Sequence, residues 1–242
     1  LNNKRPLIIA HRGAAGEAPE NTKAAFQLAM EQGCDGFELD VHVSSDGQII
    51  VCHDPNIKRT TDGRGLVADM TVKQLKRYDA GSWFNESYAG ERIPLLEEIF
   101  DLAPPTLMIN VEIKSYRHPL IAQRLVELLR QYGRTEQVIL SSFDYECLYR
   151  IHRIEPAIKI GLLYEYIPIR YSQLASRKQV TIHSLHPHQR FISKSYVEAA
   201  KRAGLHIYPW TIDRPHQMQL AIDAGASGII TNYPKRLKDI MG

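Results

Sequence analysis

The stretch Gly36-Phe37-Glu38-Leu39-Asp40-Val41-His42-Val43 alternates between two chemistries. On a strand, period two sends Glu38, Asp40 and His42 to one face and Phe37, Leu39, Val41 and Val43 to the other. The apolar face suits packing under helices. Carboxylates sharing the opposite face repel each other and lose hydration unless a cation or basic partner sits between them. The lumen of a parallel barrel, which has no strand edges, is the place that reconciles the two faces.

Outward from this strand, short apolar runs alternate with helical periodicities along nearly the whole chain. Strands are expected at Leu7 to His11, Gly36 to Val43, Leu107 to Lys114, Val138 to Phe143, Lys159 to Tyr164, Val180 to Leu185, His206 to Ile212 and Gly228 to Thr231. Helices are expected at Thr22 to Gln32, Leu95 to Ala103, Leu120 to Tyr132, Tyr145 to Glu155, Ser172 to Lys178, Lys194 to Ala203, Arg214 to Ala224 and Pro234 to Ile240. Strand followed by helix, repeated eight times, reads as an α/β fold of the TIM-type (β/α)8 barrel, and 242 residues suit one such domain. The irregularity is residues 44–94, read as a small inserted subdomain after the second strand, where an enlarged loop covers the face that carries active sites in this fold. Within it, Val72 to Tyr78 has a short helical pattern. Trp83 and Phe84 form either a satellite core or a wall of the pocket, the first being the expected reading.

Composition excludes several classes. Hydrophobic residues make up 44% and charged residues 24%, with a formal charge of +3, which is ordinary for a globular domain and too balanced for a nucleic-acid binder. Cys34, Cys52 and Cys147 are odd in number and widely spaced, which argues against a disulfide framework or thiolate zinc site. No apolar run reaches a membrane span of ~18 residues, so integral membrane association is not expected and a cytoplasmic setting is.

Besides the second strand, three local features carry chemistry. Ala10-His11-Arg12-Gly13 ends the first strand, with Pro19-Glu20-Asn21-Thr22 close behind. His11 therefore falls in the catalytic layer, Arg12 can hold an anion through its fork of donors, and Asn21 or Thr22 reads as a helix cap. Asn110-Val111-Glu112-Ile113-Lys114 repeats the alternation of the second strand, so Glu112 can complete a carboxylate site with Glu38 and Asp40 while Lys114 faces a substrate's negative charge. All-oxygen ligation selects Mg²⁺, Ca²⁺ or Mn²⁺ over zinc. His53-Asp54-Pro55 adds a second imidazole near the same acids. Since imidazole titrates near neutrality, one histidine can serve as base and the other as acid.

Taken together, His11-Arg12-Gly13, Pro19-Glu20-Asn21-Thr22, Glu38-Leu39-Asp40-Val41, Asp46-Gly47, His53-Asp54, Glu112-Ile-Lys114, Ser142-Phe143 and Trp210-Thr211 resemble the glycerophosphodiester phosphodiesterase family. The resemblance implies a barrel with a subdomain inserted after the second strand and a divalent metal ion on Glu38, Asp40 and Glu112. It implies His11 and His53 as the acid-base pair, Arg12 and Lys114 on the phosphate, and Trp210 in the substrate pocket. The substrate so implied is a small glycerophosphodiester, cleaved to glycerol 3-phosphate and an alcohol by water or by the substrate's own hydroxyl. At Asp213 and Asn232 the chain departs from the family, which often has Asn and Asp respectively. A lysophospholipase D or sphingomyelinase D shares the same barrel opening and is the enzymatic alternative. A non-catalytic phosphate-binding barrel is the alternative from another class, and it would be expected to lack at least one of His11, Glu38, Asp40, His53 and Glu112, all of which are present.

Overall fold

Residues 5–115, 117–166 and 180–242 are described by the structure, a computed structural model. The expected helix at Ser172 to Lys178 lies outside them. Among the described residues nine strands form one sheet: β1 (Leu7–His11), β2 (Gly36–Val43), β3 (Ile49–Val51), β4 (Met108–Ile113), β5 (Val138–Ser142), β6 (Lys159–Tyr164), β7 (Ser184–Pro187), β8 (His206–Ile207) and β9 (Gly228–Thr231). All but β3 pair in parallel, in the order β8-β7-β6-β5-β4-β2-β1-β9. The two ends of this order meet through Ser227 N–H to the Ile207 carbonyl (2.9 Å), Ile230 N–H to that of Pro209 (3.0 Å) and Ile212 N–H to that of Ile230 (2.9 Å). These bonds close the sheet into the expected barrel.

The helices are α1 (Lys23–Glu31), α2 (Val72–Leu75), α3 (Leu96–Leu102), α4 (Ile121–Gln131), α5 (Tyr145–Ile154), α6 (Lys194–Arg202), α7 (Pro215–Asp223) and α8 (Pro234–Met241). In α4 the residues Ile121, Leu125 and Leu129 recur one turn apart and are fully buried. Each such side chain removed from water stabilises the fold by about 1.5–3 kcal/mol. They belong to one apolar layer with Phe37, Leu39 and Val41 of β2 and Leu140 of β5, the outward faces of the strands. A smaller cluster of Ile9, Ile139, Tyr208 and Ile230 includes residues of β1, β5 and β9. Gly161 of β6 gives the lumen room, because a Cβ there would lie 2.3 Å from Nε2 of the buried His186.

Two strands depart from the expected bounds. The ladder of β7 starts at Ser184 rather than Val180, since Thr181 to His183 are more exposed than the apolar alternation of Val180 and Ile182 suggests. β8 is cut to His206–Ile207, and beyond it Pro209 has no N–H to continue a regular ladder. Residues 44–94 hold β3, three 3₁₀ turns and α2, with a buried cluster of Ile50, Cys52, Ile57, Val67, Leu75, Ala80 and Ile93. Trp83 and Phe84 join neither that cluster nor the pocket. Their rings meet edge to face at 5.7 Å, Phe84 meets Tyr88 at 5.9 Å, and the Tyr88 hydroxyl donates to the Glu17 carbonyl at 3.1 Å. The aromatic ladder thus fastens this segment to the loop after β1.

Candidate active site

The strand register assembles the acids. His11 of β1 lies opposite Glu38 of β2, and Asp40 of β2 lies opposite Glu112 of β4. Glu38, Asp40 and Glu112 are all buried, and one carboxylate oxygen from each falls within 4.8 Å of the others. His53 reaches them because β3 doubles back on β2, pairing Val41 with Val51, and the Cys52 N–H then bonds to the Asp40 carbonyl at 3.0 Å. His11, Arg12, Glu38, His53, Glu112, Lys114 and Trp210 line one cavity of about 250 Å³, and Asp40 lies buried beneath it. The eight residues expected from sequence are therefore in one place.

Charge in the cluster is nearly balanced. Arg12 Nε lies 3.2 Å from Asp40 Oδ2, and Lys114 Nζ lies 3.3 Å from Asp40 Oδ1 and 2.5 Å from Glu112 Oε1. Burial alone would raise the pKa of Asp40, but Arg12, Lys114 and His53 hold it below the ordinary carboxylate range. Glu38 has no such close cation. Burial, then Asp40 and Glu112, push it well above its ordinary value, and burial and Asp40 push Glu112 up to about 7. Asp40 Oδ1 and Glu112 Oε1 are buried and share the Lys114 ammonium. Three buried carboxylates that offer only oxygen donors, two of them raised in pKa by burial and by their acidic neighbours, fit a hard divalent cation.

The two imidazoles have different partners. His11 Nδ1 lies 2.7 Å from Asn232 Oδ1, while the Asn232 amide donates to Asp213 Oδ2 at 2.7 Å and its backbone N–H to Asp213 Oδ1 at 2.9 Å. Burial, then Arg12, lowers the pKa of His11 to about 4. His53 Nδ1 lies 2.6 Å from Asp54 Oδ1, and Asp54 accepts from Arg59 Nε at 2.7 Å. Arg59 also bonds both oxygens of Glu20, which in turn accepts from Arg12, so the loops carrying the histidines are tied by one chain of ion pairs. The pKa of His53 is lowered as well, by burial and by Arg12 and Lys114.

Sequence reading missed several of these groups. Thr22 does cap α1, accepting from the Ala25 N–H at 3.3 Å, but Asn21 donates to Asp40 Oδ2 at 3.0 Å. Asn21 and Arg12 both adopt left-handed backbone conformations, φ 58° and 54°, and the Asn21 N–H bonds the Arg12 carbonyl at 2.9 Å. Their φ values leave no local trace, although the Pro-Glu-Asn-Thr run is a signal for the loop. Asn232 and Asp213 stand out in the sequence only as departures from the family pattern, and their link to His11, like that of Arg59 to Asp54, is visible only through contacts. The far wall of the cavity, Phe143, Leu163 and Glu165 with Trp210, is apolar and aromatic apart from the carboxylate, and the Phe143 and Trp210 rings meet edge to face at 5.9 Å. Among the described residues no helix is long and apolar enough to cross a membrane.

Comparison with known proteins points one way. A sequence profile described as the Glycerophosphoryl diester phosphodiesterase family matches residues 11–236. A protein of Caldanaerobacter subterraneus subsp. tengcongensis named Glycerophosphodiester phosphodiesterase is 42% identical over 240 residues, covering 98% of each chain. A human protein named Lysophospholipase D GDPD1 is 30% identical over 269 residues, covering 96% of this chain and 85% of its own. Among solved structures, an Oleispira antarctica phosphodiesterase in complex with the product sn-glycerol-3-phosphate superposes with a TM-score of 0.90 at 32% identity, over 98% of this chain and 97% of that one.

Proposed function

The chain belongs to the glycerophosphoryl diester phosphodiesterase family, and on that basis we propose that it hydrolyses glycerophosphodiesters to glycerol 3-phosphate and an alcohol, with a divalent metal ion on Glu38, Asp40 and Glu112 and with His11 and His53 as the acid-base pair. The observation that carries this reading is the meeting of a buried carboxylate cluster and two differently partnered imidazoles in one cavity. Glu38, Asp40 and Glu112 would hold the ion, which when bound would supply charge to polarise the phosphodiester. Arg12 and Lys114 hold its oxygens and offset the charge that grows there in the transition state.

The partners assign the histidines. Asn232 gives its amide hydrogens toward Asp213, so its Oδ1 accepts from His11 Nδ1–H and leaves His11 Nε2 free to take a proton. A neutral imidazole is the form a base needs, and the low pKa of His11 supplies it at pH 7. His53 has a carboxylate, Asp54, on Nδ1, which works against the lowering by burial, Arg12 and Lys114 and leaves its other N–H to protonate the departing alcohol. The attacking oxygen belongs to water, which gives glycerol 3-phosphate directly, or to a glycerol hydroxyl of the substrate, which gives a cyclic phosphodiester that water then opens. Phe143, Leu163 and Trp210 border the cavity opposite these groups and limit the water that reaches them. The free thiols Cys34, Cys52 and Cys147 fit a reducing, cytoplasmic setting.

The likeness to a lysophospholipase D supports a second substrate class. A cavity of about 250 Å³ accommodates the phosphodiester and a small alcohol, whereas an acyl chain would have to leave past the exposed Phe143. Release of glycerol 3-phosphate from glycerophosphocholine, coupled to a dehydrogenase, tests the main reading, with choline release from lysophosphatidylcholine run beside it. The proposal expects the higher kcat/KM on glycerophosphocholine. A reversed order would move the protein to lysophospholipids, and no turnover of either would overturn the enzymatic reading.

A further inference from the structure

His42 is the third inward residue of the stretch that carries Glu38 and Asp40, and neither the metal cluster nor the acid-base pair uses it. It is almost completely buried, at 6% exposure. Its Nε2 lies 3.0 Å from the backbone carbonyl of His53, and its Nδ1 lies 2.9 Å from the Ser115 hydroxyl. A carbonyl oxygen only accepts, so Nε2 carries the hydrogen and donates. In the neutral ring Nδ1 then accepts from Ser115.

Those two bonds join the strand ends that carry the site. His53 stands on the segment leaving β3, whose preceding residue, Cys52, is held by the Asp40 carbonyl. With His42 added, β2 grips this segment on both sides of the His53 Cα, one bond from its backbone and one from a side chain. Ser115 directly follows Lys114, whose own N–H bonds the Val41 carbonyl at 3.1 Å. β2 is therefore the common support of the imidazole and the ammonium.

We propose that His42 is a positioning residue for the reaction, holding the His53 backbone so that its imidazole keeps a fixed place relative to the carboxylates on the same strand. The inference rests on the acid role given above to His53. Misplacing a proton donor by about 1 Å costs up to ~10²-fold in rate without loosening substrate binding. The signature is thus a fall in kcat with KM and metal affinity retained, confined to substrates whose leaving group needs a proton.

The test compares His42→Gln, His42→Asn and His42→Leu with His53→Ala, on glycerophosphocholine and on the p-nitrophenyl diester of glycerol 3-phosphate. Gln places an N–H near the position of Nε2, Asn reaches only toward Ser115, and Leu offers neither bond. On glycerophosphocholine we expect His42→Gln within about threefold of the parent and the other two variants of His42 down about 10- to 100-fold in kcat, with KM and Mg²⁺ affinity by calorimetry within about twofold. On the p-nitrophenyl substrate the deficit of His42→Leu should shrink, as that of His53→Ala does. Equal losses for Gln and Leu, or a loss of Mg²⁺ affinity that accounts for the fall in kcat, would overturn the proposal. If His53→Ala is rescued and His42→Leu is not, positioning fails while the acid role stands. If His53→Ala is not rescued, the acid role fails, and the split between Gln and Leu in kcat decides for or against His42. Should the Leu variant not fold, Ser115→Ala takes its place, with an expected fall of about three- to fivefold in kcat that is smaller on the p-nitrophenyl substrate; an unchanged kcat would count against the proposal.

Discussion

The two walls of the cavity are built from different chemistry. On one side, the ends of β1, β2, β3 and β4 supply His11, Arg12, Glu38, His53, Glu112 and Lys114, and most of these side chains lie against a charged partner. On the other, segments from β5, β6 and β8 supply Phe143, Leu163 and Trp210 beside the carboxylate of Glu165; the Phe143 and Trp210 rings meet edge to face, and Trp210 Nε1 donates to the His186 carbonyl at 2.8 Å. Under the proposed function the contrast separates two tasks: the charged wall would perform the reaction, and the apolar wall would select what reaches it. Changes to the first should act on kcat and metal binding, and changes to the second on the ranking of substrates.

The largest expected effect comes from the metal cluster. Chelation should lower turnover by about 10³-fold or more, with recovery on adding Mg²⁺, Ca²⁺ or Mn²⁺. Glu112→Gln should weaken metal affinity by at least about tenfold in a barrel whose circular dichroism is unchanged. The affinity itself should depend on pH. Burial and the neighbouring acids raise Glu38 and Glu112, the latter to about 7, so protons occupy the ligands below that value and must leave when the ion binds. Calorimetric Kd values should therefore fall as pH rises from about 5 to about 7 and level off above. A Kd independent of pH would remove the cluster as the binding site.

Next in size are the histidines. His11→Ala and His53→Ala should each cost about 10²- to 10⁴-fold in kcat with metal affinity kept. With p-nitrophenol as the leaving group only His53→Ala should recover, and recovery of His11→Ala instead would exchange the two roles. Asp213→Asn should cost about 10- to 100-fold, because an amide facing Asn232 permits it to turn and present a donor to His11. A pH-rate profile, with kcat measured across the titration of His11, separates this from a loss of folding.

Much of this arrangement was legible because it is periodic. Glu38, Asp40 and Glu112 stand on strands where every second residue is apolar, and that pattern specifies the lumen as well as the acids that share it. What stayed hidden depends on contacts between distant parts of the chain. His11 and Asn232 are 221 positions apart, and nothing near Asn232 marks it as the partner of an imidazole. Asn21 is hidden for the opposite reason, since a residue next to a helix start reads as a cap while its side chain turns away to Asp40. Trp83 and Phe84 misled because aromatic residues in a polar segment suggest a core or a pocket, whereas here their rings meet each other and, through Phe84, the ring of Tyr88.

Smaller effects sharpen the contrast on the apolar side. Phe143→Ala should change the ratio of kcat/KM between glycerophosphocholine and glycerophosphoethanolamine by about three- to tenfold, the scale of a lost apolar contact. Trp83→Ala, outside the cavity, should leave that ratio within about 1.5-fold and lower Tm by only a few degrees. Equal changes in the ratio for both variants would mean that the selecting wall extends into residues 44–94.

The most direct measurement of the central claim follows the phosphorus itself, by ³¹P NMR of glycerophosphocholine incubated with the protein and Mg²⁺, with and without EDTA. The account expects glycerol 3-phosphate to appear at the rate at which substrate disappears, and no conversion once EDTA is present. Phosphocholine as the product, or undiminished conversion in EDTA, would contradict it.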